Sequence, residues 1–309
     1  MDRVRILVTG SSGFIGRAVV KYLTEATRHD VRKFDLRLAA DDAGTDICGD
    51  LCDLATVQSA CRGVHAVVHL GGIGDVDVFA RQPSFATRVN VESTTNVAIA
   101  AAKAGAHVIY ASTWEVYGKP EYQPIDEEHP CRPRDFYSAS KLAGEDVLGA
   151  AARSESLRVT TLRLGTAYGP VMRENAVIPR FAAAASSSQP IVVAGDGSQR
   201  RQFTHTFDIA RAIEAACESG DEHGVLNIVA HEEISIRQLA EHVAARFGVS
   251  IQYGQPRRIE PALSRVSSAK AARILGWTER GTFFDELDRI LESEYAHLYA
   301  RPSAAPYKR

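Results

Sequence analysis

The stretch VRILVTGSSGFIG, residues 4–16, decides the fold. An apolar, β-branched run ends at Thr9, and Gly10, Gly13 and Gly16 follow it in the spacing GxxGxxG. The run predicts a buried strand, and RAVVKYLTEAT directly after it predicts a helix. Glycines at such a turn let the backbone approach a pyrophosphate, and the helix N-terminus offers free N–H groups. The stretch therefore predicts dinucleotide binding, although simple turn glycines have the same pattern.

The composition indicates a globular chain with a sizeable core. Of 309 residues, 45% are hydrophobic and 24% are charged, and 36 basic against 38 acidic residues give a net charge of -2. This balance favours neither a nucleic-acid nor a membrane surface. The first residues resemble neither a signal peptide nor a membrane span, so we expect a cytoplasmic protein. The five cysteines form no CxxC pair, which predicts reduced thiols and no metal site.

Apolar strands alternate with helical patterns along the first half of the chain, as in HVIYAST and RVTTLRL. Strands separated by helices predict an α/β fold with a doubly wound parallel sheet of the Rossmann type. After about Gly169 the alternation changes. We predict that residues 1–169 form the dinucleotide-binding domain, that 206–230 return to it, and that 170–205 and 231–309 form a smaller C-terminal α/β substrate lobe.

An acidic residue follows the glycine motif at the distance expected for ribose binding. Asp35 ends the second predicted strand, roughly 20 residues on, where a carboxylate would bind the ribose 2′-OH and repel a 2′-phosphate. NAD is therefore favoured over NADP, although Arg32, Lys33 and Arg37 lie nearby. Further residues predicted to contact the cofactor are Phe14 and Ile15 in the loop, Asp50 and Leu51 at the adenine, and Leu70, Gly71 and Gly72 beside the pyrophosphate.

The sequence YSASK places Tyr137 and Lys141 four residues apart, on one face of a helix. A free tyrosine has a pKa of about 10, so it needs support to act as a base at neutral pH. A neighbouring ammonium and an oxidised nicotinamide both favour the phenolate. Thr113 would supply a hydroxyl bonded to the same substrate oxygen. Alone, a YxxxK pattern is mostly structural; after a nucleotide-binding end it predicts a proton relay.

Four segments together, TGSSGFIG, YSASK, LRLGTAYGP and GDGSQRRQFTH, resemble the extended short-chain dehydrogenase/reductase family, in its NAD-dependent epimerase/dehydratase branch acting on nucleotide sugars. The resemblance implies NAD in the Rossmann domain, a nucleoside diphosphate sugar in the lobe, and a homodimer formed through two long helices. It implies that Thr113, Tyr137 and Lys141 are catalytic and that Asn90 orders the site and contacts the cofactor. The residues it implies for substrate binding are Thr113, Thr166, Asn175, Val177, Arg201, which would hold the diphosphate, and Arg258.

In the family mechanism, the tyrosine takes a proton from the C4 hydroxyl while hydride passes to NAD. The resemblance makes STWEVYG, residues 112–118, the segment that distinguishes reactions, because dehydratases usually have Thr-Asp-Glu there. This chain keeps Glu115 and has Trp114 in place of the Asp. Glu115 is thus a C5 base in an elimination or decarboxylation, a ligand of a sugar hydroxyl in an epimerase, or a structural carboxylate.

The predicted function is an NAD-dependent nucleotide-sugar 4-epimerase that oxidises C4 transiently. A dehydratase or uronic-acid decarboxylase that uses Glu115 is the first alternative. A net sugar dehydrogenase or reductase, and a dinucleotide sensor without chemistry, are the others. Thr166, where the family often has Asn, leaves the exact sugar open.

Overall fold

The computed structural model describes residues 3–38, 46–219, 223–256 and 265–295. Its central element is a seven-stranded sheet with the order β11-β6-β5-β4-β1-β2-β3, and every adjacent pair is parallel. The strands are β1 (Arg5–Thr9), β2 (Asp30–Asp35), β3 (Ile47–Cys48), β4 (Ala66–His69), β5 (His107–Thr113), β6 (Val159–Leu164) and β11 (Gly224–Ile228). The predicted Rossmann-type α/β fold is confirmed.

Helices cover both faces of this sheet, as the continuous apolar strands require. Along β1, Ile6 and Val8 face one core cluster and Leu7 faces another, because successive strand residues point to opposite faces. The helices of this part are α1 (Phe14–Ala26), α2 (Leu54–Ala60), α3 (Val76–Arg81), α4 (Pro83–Ala104), α5 (Phe136–Glu155), α7 (Thr206–Ser219) and α9 (Ala269–Leu275). The long helix α4 ends at Gly105 with φ 66°, the left-handed conformation that glycine adopts most readily.

Short strand pairs and helices form the rest of the described chain. The pairs are β7 (Thr166–Tyr168) with β10 (Phe203–His205), β8 (Ile191–Ala194) with β13 (Ile251–Gly254), and β9 (Arg200–Arg201) with β12 (Ile234–Ser235). The helices are α6 (Val177–Ser186), α8 (Ile236–Phe247) and α10 (Phe283–Tyr295). They enclose a separate core around Phe181, Leu239 and Leu287.

Residues of α7 pack into the core of the large sheet, and β11 forms its edge beside β6. Both elements lie within 206–230, the segment predicted to return to the dinucleotide-binding domain. The exact domain boundaries stay a prediction. Within the described ranges, no helix combines the length and apolar character needed to cross a membrane.

The site is positioned by the carboxyl edge of the sheet. The strands β1, β4, β5 and β6 end there at Thr9, His69, Thr113 and Leu164. In open parallel sheets, ligands bind in the crevice outside this edge. The segment STWEVYG begins at this edge, since β5 passes directly into a 3-10 helix, Trp114–Tyr117.

Candidate active site

The glycine loop between β1 and α1 is packed so tightly that side chains have no room. Gly10 has φ +67°, and a Cβ built on it would lie 2.7 Å from the Cα of Gly71. A Cβ on Gly16 would lie 2.0 Å from the carbonyl oxygen of Gly10. No side chain caps the N-terminus of α1, which begins after Gly13. This bare backbone and the uncapped helix end fit the pyrophosphate of a dinucleotide.

Asp35 lies at the end of β2, and its carboxylate faces the same loop. Its Oδ2 accepts a hydrogen bond from the Ser12 amide at 2.9 Å, and its Oδ1 accepts one from the Arg37 amide at 3.2 Å. Lys33 pairs with Asp46 at 3.0 Å and Arg32 donates to the carbonyl of Ala60 at 2.7 Å. Of the three basic residues that could favour NADP, Arg32 and Lys33 therefore have partners within the chain. Contact between Asp35 and a ribose stays a prediction.

A cavity of about 460 Å³ lies along the carboxyl edge of the sheet, and we call it the catalytic cavity. It brings together thirteen of the predicted site residues: Gly10, Gly13, Phe14, Ile15, Gly16, Leu70, Gly72, Thr113, Glu115, Tyr137, Lys141, Thr166 and Asn175. Glycines of the nucleotide end and side chains of the predicted proton relay thus share one space. A bound dinucleotide would have its reactive end beside Tyr137 if its pyrophosphate lay on the glycine loop.

A second cavity of about 430 Å³ continues from the first into the C-terminal part, and we call it the lobe cavity. Thr166 and Asn175 line both cavities, while Val177 and Arg201 line the lobe cavity. Four of the predicted substrate-binding residues therefore border this continuous space. Arg258 lies outside the described residues.

Five predicted cofactor residues do not line the catalytic cavity within the described part of the chain: Asp35, Asp50, Leu51, Gly71 and Asn90. Asn90 has an ordering role, as expected. Its Oδ1 accepts from the Ile73 amide at 2.7 Å and its Nδ2 donates to the Ser140 hydroxyl at 3.0 Å, which ties the loop after β4 to α5.

The other residues of this group support the backbone around the nucleotide end. Gly71 packs against Gly10, and the side chain of Leu51 lies over Gly71. The carbonyl of Leu51 accepts from Asn96 at 2.9 Å, and Asp50 accepts from the Cys52 amide at 2.8 Å.

Tyr137 begins the first turn of α5, which Asp135 caps by accepting from the Ser138 amide at 2.7 Å. Thr113 and Tyr137 line the same cavity, and the ring of Phe79 meets the Tyr137 ring edge-on at 5.7 Å. Burial, and then the negative charge of Glu115, raise the pKa of Tyr137 above its ordinary value. The positive charge of Arg173 and the Thr113 hydrogen bond act in the opposite direction.

Lys141 lies one helical turn beyond Tyr137, with its Nζ 4.4 Å from the centre of the Tyr110 ring. Burial lowers the pKa of Lys141 to about 8, against the opposing effect of the Glu145 charge. Glu145 is itself held by Arg163 at 2.6 Å in a buried ion pair. In the chain without cofactor, the Lys141 ammonium therefore does not bring the pKa of Tyr137 below its ordinary value, because burial and the charge of Glu115 have the larger effect.

Glu115 lies in the 3-10 helix and lines the catalytic cavity together with Tyr137. Burial, and then the charge of Asp135, raise the pKa of Glu115 to about 7, while Arg201 lowers it. Among the described residues, neither a hydrogen bond nor an ion pair engages the Glu115 carboxylate. A carboxyl group with this pKa is suited to proton transfer near neutral pH.

Trp114 forms part of the cavity wall beside Glu115. Its ring packs against an apolar cluster that includes Val116, Ile125 and Val266. The indole can donate one hydrogen bond but cannot act as an acid. The position next to Glu115 therefore contributes shape to the cavity without contributing a second carboxyl group.

The sequence reasoning missed Arg173, which follows β7 and lines the catalytic cavity. Its Nη1 donates to the carbonyl of Gly74 at 2.9 Å, so it joins the loop after β7 to the loop after β4. Nearby, Asn175 donates to Asp77 at 3.4 Å across the same gap. Arg173 belongs to none of the recognised motifs, and its place three residues after Pro170 was the only available signal.

One group of potential metal ligands, His29, Glu214 and Glu218, occurs among the described residues. The His29 Nδ1 accepts from the Val4 amide at 3.5 Å, which leaves the proton of the neutral ring on Nε2, beside Glu218 at 3.5 Å. Tyr22 donates to Glu214 at 2.7 Å. A protonated Nε2 cannot bind a metal ion, so this arrangement does not favour a metal site.

Comparisons with known proteins agree with this geometry. A dTDP-glucose 4,6-dehydratase of Streptomyces griseus is 31% identical over 94% of this chain and 94% of its own length. A putative UDP-glucose 4-epimerase of Methanocaldococcus jannaschii is 29% identical over 93% of this chain and 97% of its own. The solved structure of MoeE5 in complex with UDP-glucose and NAD is 30% identical, with a TM-score of 0.86 over 95% of this chain and 99% of that one.

The model of a family described as the NAD dependent epimerase/dehydratase family matches residues 6–229. This range contains the glycine loop, the catalytic cavity and the Tyr137–Lys141 pair. The predicted recognition, the enzyme class and NAD as the cofactor are confirmed. The relatives differ in the reaction that they are named for, so the coarse class is a nucleotide-sugar epimerase, dehydratase or decarboxylase. The chain belongs to the NAD dependent epimerase/dehydratase family.

Proposed function

We propose that this chain is a nucleotide-sugar dehydratase, which oxidises C4 of the sugar transiently and uses Glu115 to remove the C5 proton. The observation that carries the proposal is Glu115, which lines the same cavity as Tyr137 and whose carboxyl pKa is raised to about 7.

The substrate would be a nucleoside diphosphate sugar that spans both cavities. Its sugar would lie beside Tyr137 in the catalytic cavity, and its diphosphate would lie in the lobe cavity. Arg201 is suited to the diphosphate because its guanidinium offers forked donors. Asn175 borders both cavities and Val177 borders the lobe cavity, so both would contact the part of the substrate between its two ends.

Tyr137 would accept the proton of the C4 hydroxyl, and Thr113, which lines the same cavity, would hold the same oxygen. NAD, when bound, supplies the hydride acceptor and later the hydride donor. Its positive nicotinamide ring would also favour the phenolate, which the chain alone disfavours. Oxidation at C4 makes the C5 proton acidic, because the carbanion formed at C5 is conjugated with the new carbonyl.

Glu115 would take the C5 proton and, once protonated, would be the acid nearest to the leaving C6 hydroxyl. One group would then serve twice: the C5–H and C6–O bonds break, a C5–C6 double bond forms, and water leaves. If one group acts as both base and acid, the neighbouring position does not need a second carboxyl group, and Trp114 can occupy it. A carboxyl group with a pKa near 7 suits both steps, because its carboxylate and its protonated form are both populated near neutral pH.

The 4-epimerase predicted from the sequence remains the second candidate. Trp114 favours it, because the wall beside Glu115 has an apolar ring in place of an acid that would help water to leave. In this case Glu115 would bind a sugar hydroxyl, and the ketone would turn before hydride returns to its other face. Decarboxylation of a uronic acid, net oxidation or reduction, and dinucleotide sensing are the further alternatives.

The oligomeric state is a separate question, and a homodimer formed through α4 and α5 stays a prediction.

Incubation with a panel of nucleotide sugars in heavy water, followed by mass analysis, tests the proposal. We expect a product that has lost water and gained solvent deuterium. An isomer without deuterium would replace the proposal with 4-epimerisation, and loss of carbon dioxide would indicate a decarboxylase. Stoichiometric consumption of added NAD would indicate net oxidation.

Glu115→Gln is the matched variant for this experiment, because it keeps the size of the side chain and removes the exchangeable carboxyl group. We expect it to abolish deuterium incorporation and water loss while hydride transfer from C4 to NAD still occurs on the first turnover. An unchanged rate of water loss by this variant would contradict the role given to Glu115.

A further inference from the structure

Tyr137 lies among charged groups that come from several elements. Glu115 approaches it from the 3-10 helix, and Asp135 precedes it at the start of its own helix. Asp75, at the N-terminus of α3, lines the same cavity. Carboxylates on this side oppose formation of a phenolate. A proton acceptor at this position therefore needs positive charge close by.

Lys141 supplies this charge incompletely. Its Nζ lies over the ring of Tyr110, at 4.4 Å from the ring centre, and burial lowers its pKa to about 8. The ammonium is therefore partly lost just above neutral pH. An arginine does not lose its charge in proteins, because its pKa lies above about 12.

Arg173 brings such a permanent charge to the same cavity. It comes from the loop after β7, whereas Tyr137 and Lys141 come from α5. Its Nη1 donates to the Gly74 carbonyl at 2.9 Å, and a Cβ built on Gly74 would lie 3.1 Å from its Nη2. The glycine thus leaves room for the guanidinium to rest against the backbone. Neighbouring Asn175 bonds Asp77 at 3.4 Å, a second contact across the same gap.

We propose that Arg173 is a positioning residue for the proton relay: its guanidinium, anchored on Gly74 at the mouth of the catalytic cavity, stabilises the anionic form of Tyr137. The inference rests on the proposed function in taking Tyr137 as the proton acceptor. It does not depend on which sugar is the substrate or on the fate of the C5 proton. The charge of Arg173 lowers the pKa of Tyr137, whereas the charges of Glu115 and Asp135 raise it.

The test is the ionisation of Tyr137 in the NAD-bound protein, measured without substrate. Phenolate ultraviolet absorbance is titrated up to about pH 11, one unit above the value of free tyrosine. Subtracting the titration of the same protein carrying Tyr137→Phe isolates the Tyr137 signal. We expect Arg173→Gln to raise the apparent pKa of Tyr137 by roughly one unit at low salt, and by less at high salt because Arg173 is solvent-exposed.

Three further variants make the result specific. Arg173→Lys keeps the charge and should retain most of the wild-type titration. Arg180→Gln removes an exposed arginine that lines only the lobe cavity, and it should leave the Tyr137 titration unchanged. Thermal unfolding and NAD affinity identify any variant that has lost its fold, in which case Arg173→Met replaces Arg173→Gln.

An unchanged Tyr137 titration in Arg173→Gln would overturn the inference, and so would the same shift in Arg180→Gln. Absence of any Tyr137 signal up to about pH 11 in the NAD-bound wild type would also overturn it, since the phenolate would then lack support. The product panel reports separately on the proposed function. A shifted titration with no dehydration would leave Arg173 in its role and remove the dehydratase.

Discussion

The glycine loop and the Glu115–Tyr137 side of the catalytic cavity lie at the same edge of the sheet, yet one depends on its backbone and the other on its side chains. At the glycine loop the chain omits side chains, so that the backbone of Gly10, Gly16 and Gly71 can pack closely. At the other side, function depends on side chains whose protonation is set by burial and by neighbouring charges. The first region tolerates no added atom, whereas the second is sensitive to a single charge.

This difference determines what each kind of substitution should do. Adding a methyl group at the glycine loop should damage cofactor binding and packing together. Changing a carboxyl group to an amide in the cavity should keep the fold and alter the chemistry.

Gly16→Ala should have the largest effect. The new Cβ would lie 2.0 Å from the Gly10 carbonyl oxygen, so the loop must move. We expect NAD binding to weaken by about 100-fold or more, because a displacement of about 1 Å at such a site has effects of this size. Titration calorimetry with NAD, together with thermal unfolding, measures both consequences.

Gly149→Ala is the matched control for that substitution. Gly149 lies within α5, where the nearest atom to an added Cβ is the Arg153 Nη1 at 3.5 Å. Alanine is a better helix former than glycine by about 0.5–1 kcal/mol, so this variant should be at least as stable as the wild type and bind NAD normally. Equal NAD affinity in Gly16→Ala and Gly149→Ala would contradict the close-packing argument.

Tyr137→Phe should reduce turnover by about 10²- to 10⁴-fold, the usual contribution of a general acid or base. NAD affinity should change little, because the ring and its contact with Phe79 remain. Steady-state turnover on the substrate found in the panel, with NAD binding measured alongside, provides the check. Tyr122→Phe removes the hydroxyl of an exposed tyrosine and should be neutral; a comparable loss of turnover there would undermine the assignment.

Glu115→Gln should stabilise the folded protein at alkaline pH. The pKa of Glu115 is about 7 in the folded chain and about 4.3 in an unfolded one, so between these values the folded state binds the extra proton. The free energy of unfolding therefore falls as the pH rises through this window. The glutamine of the variant does not titrate, so the variant does not lose this stability. The gain should reach at most about 4 kcal/mol above pH 7 and vanish near pH 4.

Denaturant unfolding at a series of pH values measures this gain. Glu155→Gln, at the exposed end of α5, serves as the control and should show no such pH-dependent gain. If Glu115→Gln were destabilising at every pH, the carboxylate would have a structural partner, and its catalytic role would lose its support.

Asp35→Asn should have the smallest effect. The amide oxygen can still accept one of the two backbone hydrogen bonds, from Ser12 or Arg37, but the charge is lost. We expect NAD affinity to fall roughly tenfold, which is the contribution of one hydrogen bond to a charged group. NADP affinity should rise relative to NAD, and the ratio of the two dissociation constants measures the change. An unchanged ratio would show that Asp35 only supports the loop.

The sequence by itself determined the cofactor half of this protein. A buried strand, three spaced glycines and a following helix imply a βα turn with an exposed backbone, because local spacing alone fixes that geometry. Tyr137 and Lys141 were also predictable, since four residues along a helix place two side chains on one face. The Rossmann-type sheet followed from apolar strands that alternate with helices.

Only the tertiary structure decided how charges act on one another. Arg173 and Tyr137 are distant in sequence, yet they line one cavity, because the loop after β7 is hydrogen-bonded through Arg173 to the loop after β4. The raised pKa of Glu115 depends on burial among residues from several elements, and the same burial outweighs the expected effect of Lys141 on Tyr137. Sequence spacing cannot reveal such effects, because desolvation and charge interaction depend on distances through space.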